Sequence, residues 1–348
     1  MEPPLRLLLR WLYLRYRRLS RGLAFALRYL EAQVLRRQTW VVQRWPGQDD
    51  LATAKRIAIF VHYDRHGQVA DYVRYYLEQL TEAGYAILFI TNSPKLTPAA
   101  LTTLQSRCAV ILRRRNLGYD FGAYRDALRE IPDLGTLDRL ILANDSVYGP
   151  FHPLAELLSR TDPDQADIWG INDSYDRYYH LQSYFLVLHR PALTNAKLRA
   201  FWDQILYVRS KSFVVQFYEV GFSRTALHAG LRLQALCPYR ELAAASIEAL
   251  RRLPLATPEE RAKLYYGEYL RIILDQLTTG IPVNPSHLFW DQMLIRYRCP
   301  FLKRELLTLN PAAVPGVNQW EQVIRSQSDY DTRLIERHLQ QILRHRSI

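Results

Sequence analysis

Cysteine is scarce: only Cys108, Cys237 and Cys299 occur among 348 residues, far apart and with no Cys-x-x-Cys pair. That excludes a disulfide framework and a thiolate zinc site, and it fits a reducing compartment such as the cytoplasm. Long apolar runs are also missing. No stretch approaches the roughly 18 to 20 uninterrupted apolar residues that cross a bilayer, and no clean apolar segment with a small-residue cleavage site marks a secretory signal. Acidic residues are nearly absent from one end: residues 1–44 hold ten Arg against Glu2 and Glu31, which accounts for eight of the net charge of +12. The body of the chain is therefore close to neutral, which excludes a nucleic-acid-binding domain with a basic footprint over the whole fold. What is plentiful is globular in kind, 49% hydrophobic and 23% charged. The 23 Tyr and 7 Trp exceed what a core needs and suit a wet, amphipathic groove of the sort that receives sugars or nucleobases.

Residues 1–44 form the first expected unit. On a helix of about 100° per residue, Arg6, Arg10, Arg17, Arg21 and Arg28 fall on one stripe. Leu5, Leu9, Leu12, Tyr16, Leu19, Leu23, Leu27 and Leu30 fall on another. An Arg-rich face opposite a Leu and aromatic face is what a helix lying on an anionic membrane surface requires. The same pattern would serve a helix docked on its own core or on a second copy.

Beyond a linker of Pro46, Gly47, Asp49 and Asp50, short apolar runs alternate with helical patterns. Residues 57–61 (IAIFV), 85–91 (YAILFIT), 108–112 (CAVIL) and 140–143 (LILA) read as strands buried on both faces, separated by helices. The fold class is α/β, a mostly parallel sheet flanked by helices, and ligands on such sheets sit beyond the carboxyl ends of the strands. Three such ends are polar or Gly-rich. His62 and Asp64 follow the first strand; Arg113–Arg115 and then Asn116, Gly118, Asp120 and Gly122 follow the third; Asn144, Asp145, Ser146 and Tyr148 follow the fourth. The Gly pair allows close backbone approach, and the Arg run could meet phosphate. The stretch matches neither a Walker loop nor Gly-x-Gly-x-x-Gly. Each end also has a plainer reading, as a polar turn or, for Asp145, a helix cap. Residues 236–280 read as helices broken at Pro254, and 319–345 as an Arg/Gln-rich amphipathic helix without assigned chemistry.

The stretches NLGYDFGAYRDAL (116–128), ANDSVYGPF (143–151), HLQSYFLVLHRPAL (180–193), YEVGFSR (218–224), NPSHLFWDQMLI (284–295) and PFLKRELL (300–307) resemble the rhamnan synthesis protein F family, in that family's order, over roughly residues 55–310. The resemblance implies an A-type glycosyltransferase-like fold. It also implies sugar transfer, with L-rhamnose from dTDP-L-rhamnose as the first choice, onto a glycan or lipid-linked glycan at the inner face of the cell membrane. It divides the chain into the basic helix 1–44, a nucleotide-sugar-binding core 55–235, and a helical extension 236–348. Asp145 falls where such enzymes keep an Asp-x-Asp motif for metal and donor diphosphate; here it is Asn144-Asp145-Ser146, with one carboxylate.

By the same resemblance, Glu219 is the base that deprotonates the acceptor hydroxyl in an inverting transfer, and His287 a second ligand to a divalent Mg²⁺ or Mn²⁺ or to the donor phosphates. His62, Asp64, Asn116, Gly118, Asp120, Asp145 and Tyr148 make the expected donor pocket. His180, Gln182 and Tyr184, alternating along one strand, make an acceptor wall. Trp169, Trp202 and Trp290 could stack on sugar, although packing suits at least two of them better. Asp173 and Asp176 are the next candidates for the base. The single carboxylate at Asp145 keeps a second class open, a non-catalytic, membrane-associated sugar-binding or scaffold subunit of a polysaccharide assembly complex.

Overall fold

The computed structural model describes residues 40–252 and 264–346. In chain order the first elements are β1 (Val41–Pro46), β2 (Arg56–His62), α1 (Asp71–Glu82), β3 (Ala86–Thr91), α2 (Pro98–Gln105), β4 (Val110–Arg114), α3 (Tyr119–Leu128) and β5 (Arg139–Asn144). Next come β6 (Val147–Tyr148), α4 (Leu154–Ser159), β7 (Ile168–Ser174), β8 (His180–Leu181), β9 (Phe185–His189), α5 (Arg190–Thr194) and α6 (Ala196–Gln204). A continuous helical stretch follows in three parts: α7 (Lys211–Phe213), a π-helical segment (Val214–Glu219) and α8 (Val220–His228). The chain then forms β10 (Leu233–Cys237), α9 (Tyr239–Arg252), α10 (Leu264–Thr278), α11 (Pro285–Leu288), α12 (Trp290–Tyr297), β11 (Leu302–Lys303), α13 (Arg304–Thr308), α14 (Trp320–Gln327) and α15 (Arg333–Arg346).

The main sheet runs β1-β4-β3-β2-β5-β9-β7-β10, with β8 on β7. The four strands read from the sequence form its parallel half, β4-β3-β2-β5. The other half is mixed: β9 runs antiparallel to both β5 and β7, and β10 parallel to β7. Apolar residues of both parities explain why the parallel strands can lie at the centre. Ala58 and Phe60 of β2 pack on one side with Tyr76, Leu80 and Phe89, while Ile57, Ile59 and Val61 pack on the other with Phe121, Tyr124 and Trp202. Helices cover both faces, and the region after β10 is largely helical, as expected.

The expected basic helix lies almost entirely outside the described residues. Its last residues are corrected: Val41–Pro46 is an edge strand antiparallel to β4, with Gln43 opposite Arg113 and Trp45 opposite Ile111. It covers an edge that would otherwise leave a row of backbone donors and acceptors unpaired. Among the described residues, no helix is long and apolar enough to cross a membrane. All three cysteines are buried and free.

Two long-range contacts shape the front of the sheet. The β6–β11 ladder sets Leu302 opposite Tyr148 and Lys303 opposite Val147, and the Arg304 N–H donates to the Ser146 carbonyl at 2.9 Å. Helix α15 lies against α1, with the His338 ring 4.7 Å from Tyr72 and Arg337 paired to Asp71 at 3.1 Å.

Candidate active site

The parallel half of the sheet delivers its carboxyl ends to an open cleft of about 420 Å³. Asp145, one residue past β5, donates its N–H to the Val61 carbonyl at 3.1 Å, which fixes it beside the end of β2. Its Oδ2 accepts from the Tyr63 N–H at 3.3 Å and from Arg304 Nη1 at 3.0 Å. The same Nη1 reaches the Asp145 carbonyl at 2.6 Å and the Tyr72 hydroxyl at 2.8 Å. Burial works against the charge of that guanidinium, but Tyr72, Asp145 and Tyr148 together outweigh it and keep the group firmly charged.

Asp120 enters the cleft from the first turn of α3. The chain reaches it through Gly118 in the left-handed region (φ 76°), and a Cβ on Gly122 would stand 2.6 Å from the Leu117 carbonyl. The two glycines are thus required by the chain's own turn. Asp120 Oδ2 accepts from Asn144 Nδ2 at 3.1 Å. Burial, and next the Asp145 charge, push its carboxyl up to about 6, in spite of Lys303.

Glu219 ends the π-helical segment, a register shift that single-turn insertions of this kind commonly bring to functional sites. Its Oε1 accepts from both the N–H and the hydroxyl of Ser183, at 2.8 and 2.9 Å. Lys303 lies between these acids: its Nζ sits 4.1 Å from the centre of the Tyr184 ring and 3.4 Å from Ser146 Oγ. Burial lowers its amine to about 8, while Glu219, Asp120 and Glu305 hold it up.

Of the residues expected in the donor pocket, Asp120 and Asp145 line the cleft and the others do not. His62 is buried, bonded through Nδ1 to Thr91 Oγ1 at 3.1 Å, and burial lowers its pKa. Asp64 spends Oδ1 on the N–H groups of His66 and Gln68, closing its own turn. Asn116 is exposed beside the cleft-forming loop, and Gly118 acts through its backbone, donating to the Val208 carbonyl at 2.9 Å. Tyr148 faces inward, its hydroxyl 2.9 Å from His338 Nδ1.

Two of the three arginines in the expected Arg113–Arg115 run are committed elsewhere, Arg114 being buried and Arg113 bonding Gln43 and the Pro94 carbonyl; Arg115 is exposed, over the Trp40 ring, and does not line the cleft. The expected acceptor strand is broken, because β8 ends at Leu181 and a turn precedes β9. Tyr184 reaches the cleft, whereas His180 bonds the Tyr178 carbonyl and Gln182 bonds Asn284. The three Trp residues are buried core. Asp173 is buried and bonded to the Tyr239 N–H, and Asp176 is exposed; neither lines the cleft.

The expected Asp145–His287 metal pair does not assemble. His287 is buried and turned to Glu305, Nε2 to Oε2 3.9 Å, and does not line the cleft. Asp145 is already held by a guanidinium, and the described residues contain no group of three His, Cys, Asp or Glu side chains placed to share an ion. With Asp145 occupied by Arg304, the described residues do not fit a divalent cation held by protein ligands alone. Sequence reasoning passed over Ser183, Lys303, Arg304 and His338. Ser183, Lys303 and Arg304 all lie inside stretches that carry the family resemblance, but nothing local shows that Ser183 holds Glu219, and Lys303, Arg304 and His338 reach the site only through the β6–β11 ladder and the packing of α15.

Residues 87–250 match the model of the family described as rhamnan synthesis protein F, and this span contains Asp120, Asp145, Ser183 and Glu219. The chain is 28% identical over 282 residues to the virulence protein VirA of Vibrio anguillarum, covering 80% of this chain and 87% of that protein. It is 27% identical over 165 residues to y4gN of Sinorhizobium fredii, covering 46% of this chain and 43% of that protein. Among solved structures, the mannosyltransferase PcManGT of Pyrobaculum calidifontis, in complex with GDP-Man and Mn²⁺, is similar at a TM-score of 0.33 and 12% identity, with 86% and 91% of the two chains covered. TarS of S. aureus, residues 1–349 in complex with UDP, is similar at 0.36 and 11% identity, with 78% and 90% covered.

Proposed function

We propose that this chain is an inverting glycosyltransferase that passes a sugar from a nucleotide-activated donor to a hydroxyl of a growing cell-surface polysaccharide. The observation that carries the reading is the convergence of Asp120, Asp145, Glu219, Lys303 and Arg304 in one cleft beyond the carboxyl ends of parallel strands, next to the segment that matches the family model. L-Rhamnose from dTDP-L-rhamnose as the donor rests on the family resemblance.

In this reading Glu219 is the base. With Oε1 fixed by Ser183, the carboxylate keeps its other oxygen for the acceptor proton. The acceptor oxygen forms a bond to the anomeric carbon as that carbon's bond to the diphosphate oxygen breaks, and the diphosphate leaves with the electron pair. Such a displacement needs a single carboxylate at the sugar and positive charge at the leaving group. Tyr184 and Tyr63, both on the cleft wall, offer amphipathic surface to the sugars. The basic, Leu-rich residues 1–39 suit an anionic membrane surface at the inner face of the cell membrane. Deleting them spares β1 and should abolish salt-sensitive binding to anionic vesicles.

The deciding experiment is donor hydrolysis by the purified full chain against a panel of nucleotide sugars. Turnover of one donor supports transfer. A folded protein that binds glycan but turns over no donor, alone or with acceptor, would instead be a sugar-binding subunit.

A further inference from the structure

Three cations line the cleft, Lys211, Lys303 and Arg304; Lys303 and Arg304 stand against Asp145 and Ser146 and take no part in the proton transfer assigned to Glu219. We propose that Lys303 and Arg304 are the chain's own ligands for a diphosphate, so that a nucleotide-sugar donor is held by these two side chains without a divalent cation. The inference rests on the glycosyltransferase reading and specifies how that site takes its donor.

Position comes first. The β6–β11 ladder and the Arg304 N–H to Ser146 bond place residues 303 and 304 directly against Asp145 and Ser146, at the strand ends where a ligand of this sheet would lie. Both side chains keep unspent donors. The Lys303 ammonium has three N–H groups, makes one long hydrogen bond, 3.4 Å to Ser146 Oγ, and otherwise rests 4.1 Å over the face of Tyr184. Arg304 commits Nη1 to Asp145 and Tyr72, yet its buried Nε finds no partner among the described residues. A buried guanidinium N–H without an acceptor is costly, and an incoming phosphate oxygen would satisfy it.

The position of Arg304 explains why a metal is the poorer occupant at Asp145. A divalent ion at the Asp145 carboxylate would meet a guanidinium already 3.0 Å away. The remaining acids are partly offset: Glu305 lies 3.9 Å from Lys211, while Asp120 and Glu219 share Lys303. One carboxylate remains in excess over Lys211, Lys303 and Arg304, so the pair must be desolvated and fixed to attract an anion, as the geometry provides.

The test is calorimetric titration of the full chain with dTDP, UDP and GDP in EDTA, and again with excess Mn²⁺. At least one nucleotide should bind in EDTA, and Mn²⁺ should change its affinity little. Lys303→Met, which keeps the stem, should weaken binding about 10- to 100-fold, as expected for a lost charged hydrogen bond, and Lys303→Arg should restore most of it. Asp145→Asn should not weaken binding in EDTA, because it removes a charge competing for Arg304. Strict Mn²⁺ dependence that vanishes in Asp145→Asn would overturn the inference, as would unchanged affinity in a natively melting Lys303→Met. If no nucleotide binds wild type in either condition, the glycosyltransferase reading falls as well.

Discussion

Two Arg–Asp pairs lie at opposite ends of the same argument. Arg114 and Asp126 form a pair whose side chains are 0% and 5% exposed. Every arm of Arg114 is used: Nε to Asp126 at 2.7 Å, Nη1 to Asn92 at 2.6 Å, Nη2 to the Leu117 carbonyl at 2.8 Å. The Tyr207 hydroxyl closes the other oxygen of Asp126. Arg304 and Asp145 are 24% and 14% exposed, border a cleft, and leave Nε unpartnered. A saturated buried network can only hold the fold, whereas an unsaturated one at a cavity wall has capacity left for a ligand. In sequence the two look reversed, since Arg114 sits in the conspicuous run beside the Gly-rich loop, whereas Arg304 opens a five-residue helix with nothing in its spacing to point at a ligand.

The comparison breaks most sharply at Asp126. Asp126→Ala leaves a buried guanidinium without its countercharge and should cost about 3–5 kcal/mol of stability, read as a large drop in denaturation midpoint. Nucleotide affinity, measured well below the new melting temperature, should stay near wild type. Loss of affinity at native stability would show that the Arg114 loop is itself a ligand site.

Glu219→Gln asks the converse. It keeps shape and the bonds from Ser183 but cannot accept a proton, so transfer should fall roughly 10²- to 10⁴-fold while donor affinity and melting temperature hold. Transfer near wild type with a working donor and acceptor pair would remove Glu219 as the base and turn attention to Asp120.

The parallel half of the fold was legible because four short apolar runs buried on both faces leave few alternatives. Asp120 and Asp145 were legible for a related reason, as carboxylates at the ends of those runs. Chemistry carried across long sequence separation was not: Lys303 meets Ser146 through pairing of two-residue strands, too short to leave a periodic signal. His62 and Asp64 misled because a strand-end turn needs polar groups for its own backbone, and the sequence does not separate that need from a ligand's. His180 and Gln182 misled because alternation along an assumed strand says nothing of where the strand stops.

A pH series sharpens the contrast at smaller amplitude. Lys303 carries its charge below about 8 and loses it above, while Asp120, raised to about 6, gains a negative charge as pH rises through that value. Both changes disfavour an anion, so affinity for a nucleotide sugar, whose diester phosphates keep a constant charge, should fall stepwise from acid to alkaline pH. The groups facing Lys303 are Glu219, Asp120, Glu305 and Lys211. In Lys303→Arg the step near 8 should disappear and the one near 6 remain. A wild-type profile flat from pH 5 to 9 would mean that neither group sees the ligand.

The smallest effect belongs to the support behind Arg304. Tyr148 donates to, or accepts from, His338 Nδ1 at 2.9 Å, and the His338 ring covers Tyr72, whose hydroxyl meets Arg304. Tyr148→Phe removes one hydrogen bond and should cost about 1 kcal/mol, with nucleotide affinity changed less than by Lys303→Met. Burial, and next the Arg304 charge, lower His338 to about 4. Between that value and the 6.5 of a free imidazole, the unfolded chain binds the proton and the folded chain does not, so this histidine makes stability fall as pH drops through that window. Asp120, raised in the folded state from 3.8 to about 6, acts in the opposite sense between those values. His338→Phe should therefore lose less stability than wild type on acidification from pH 7 to 4.5, measured by urea denaturation. An identical pH dependence in the two proteins would show that His338 is not held neutral against α1, and that α15 is a cover without influence on the cleft.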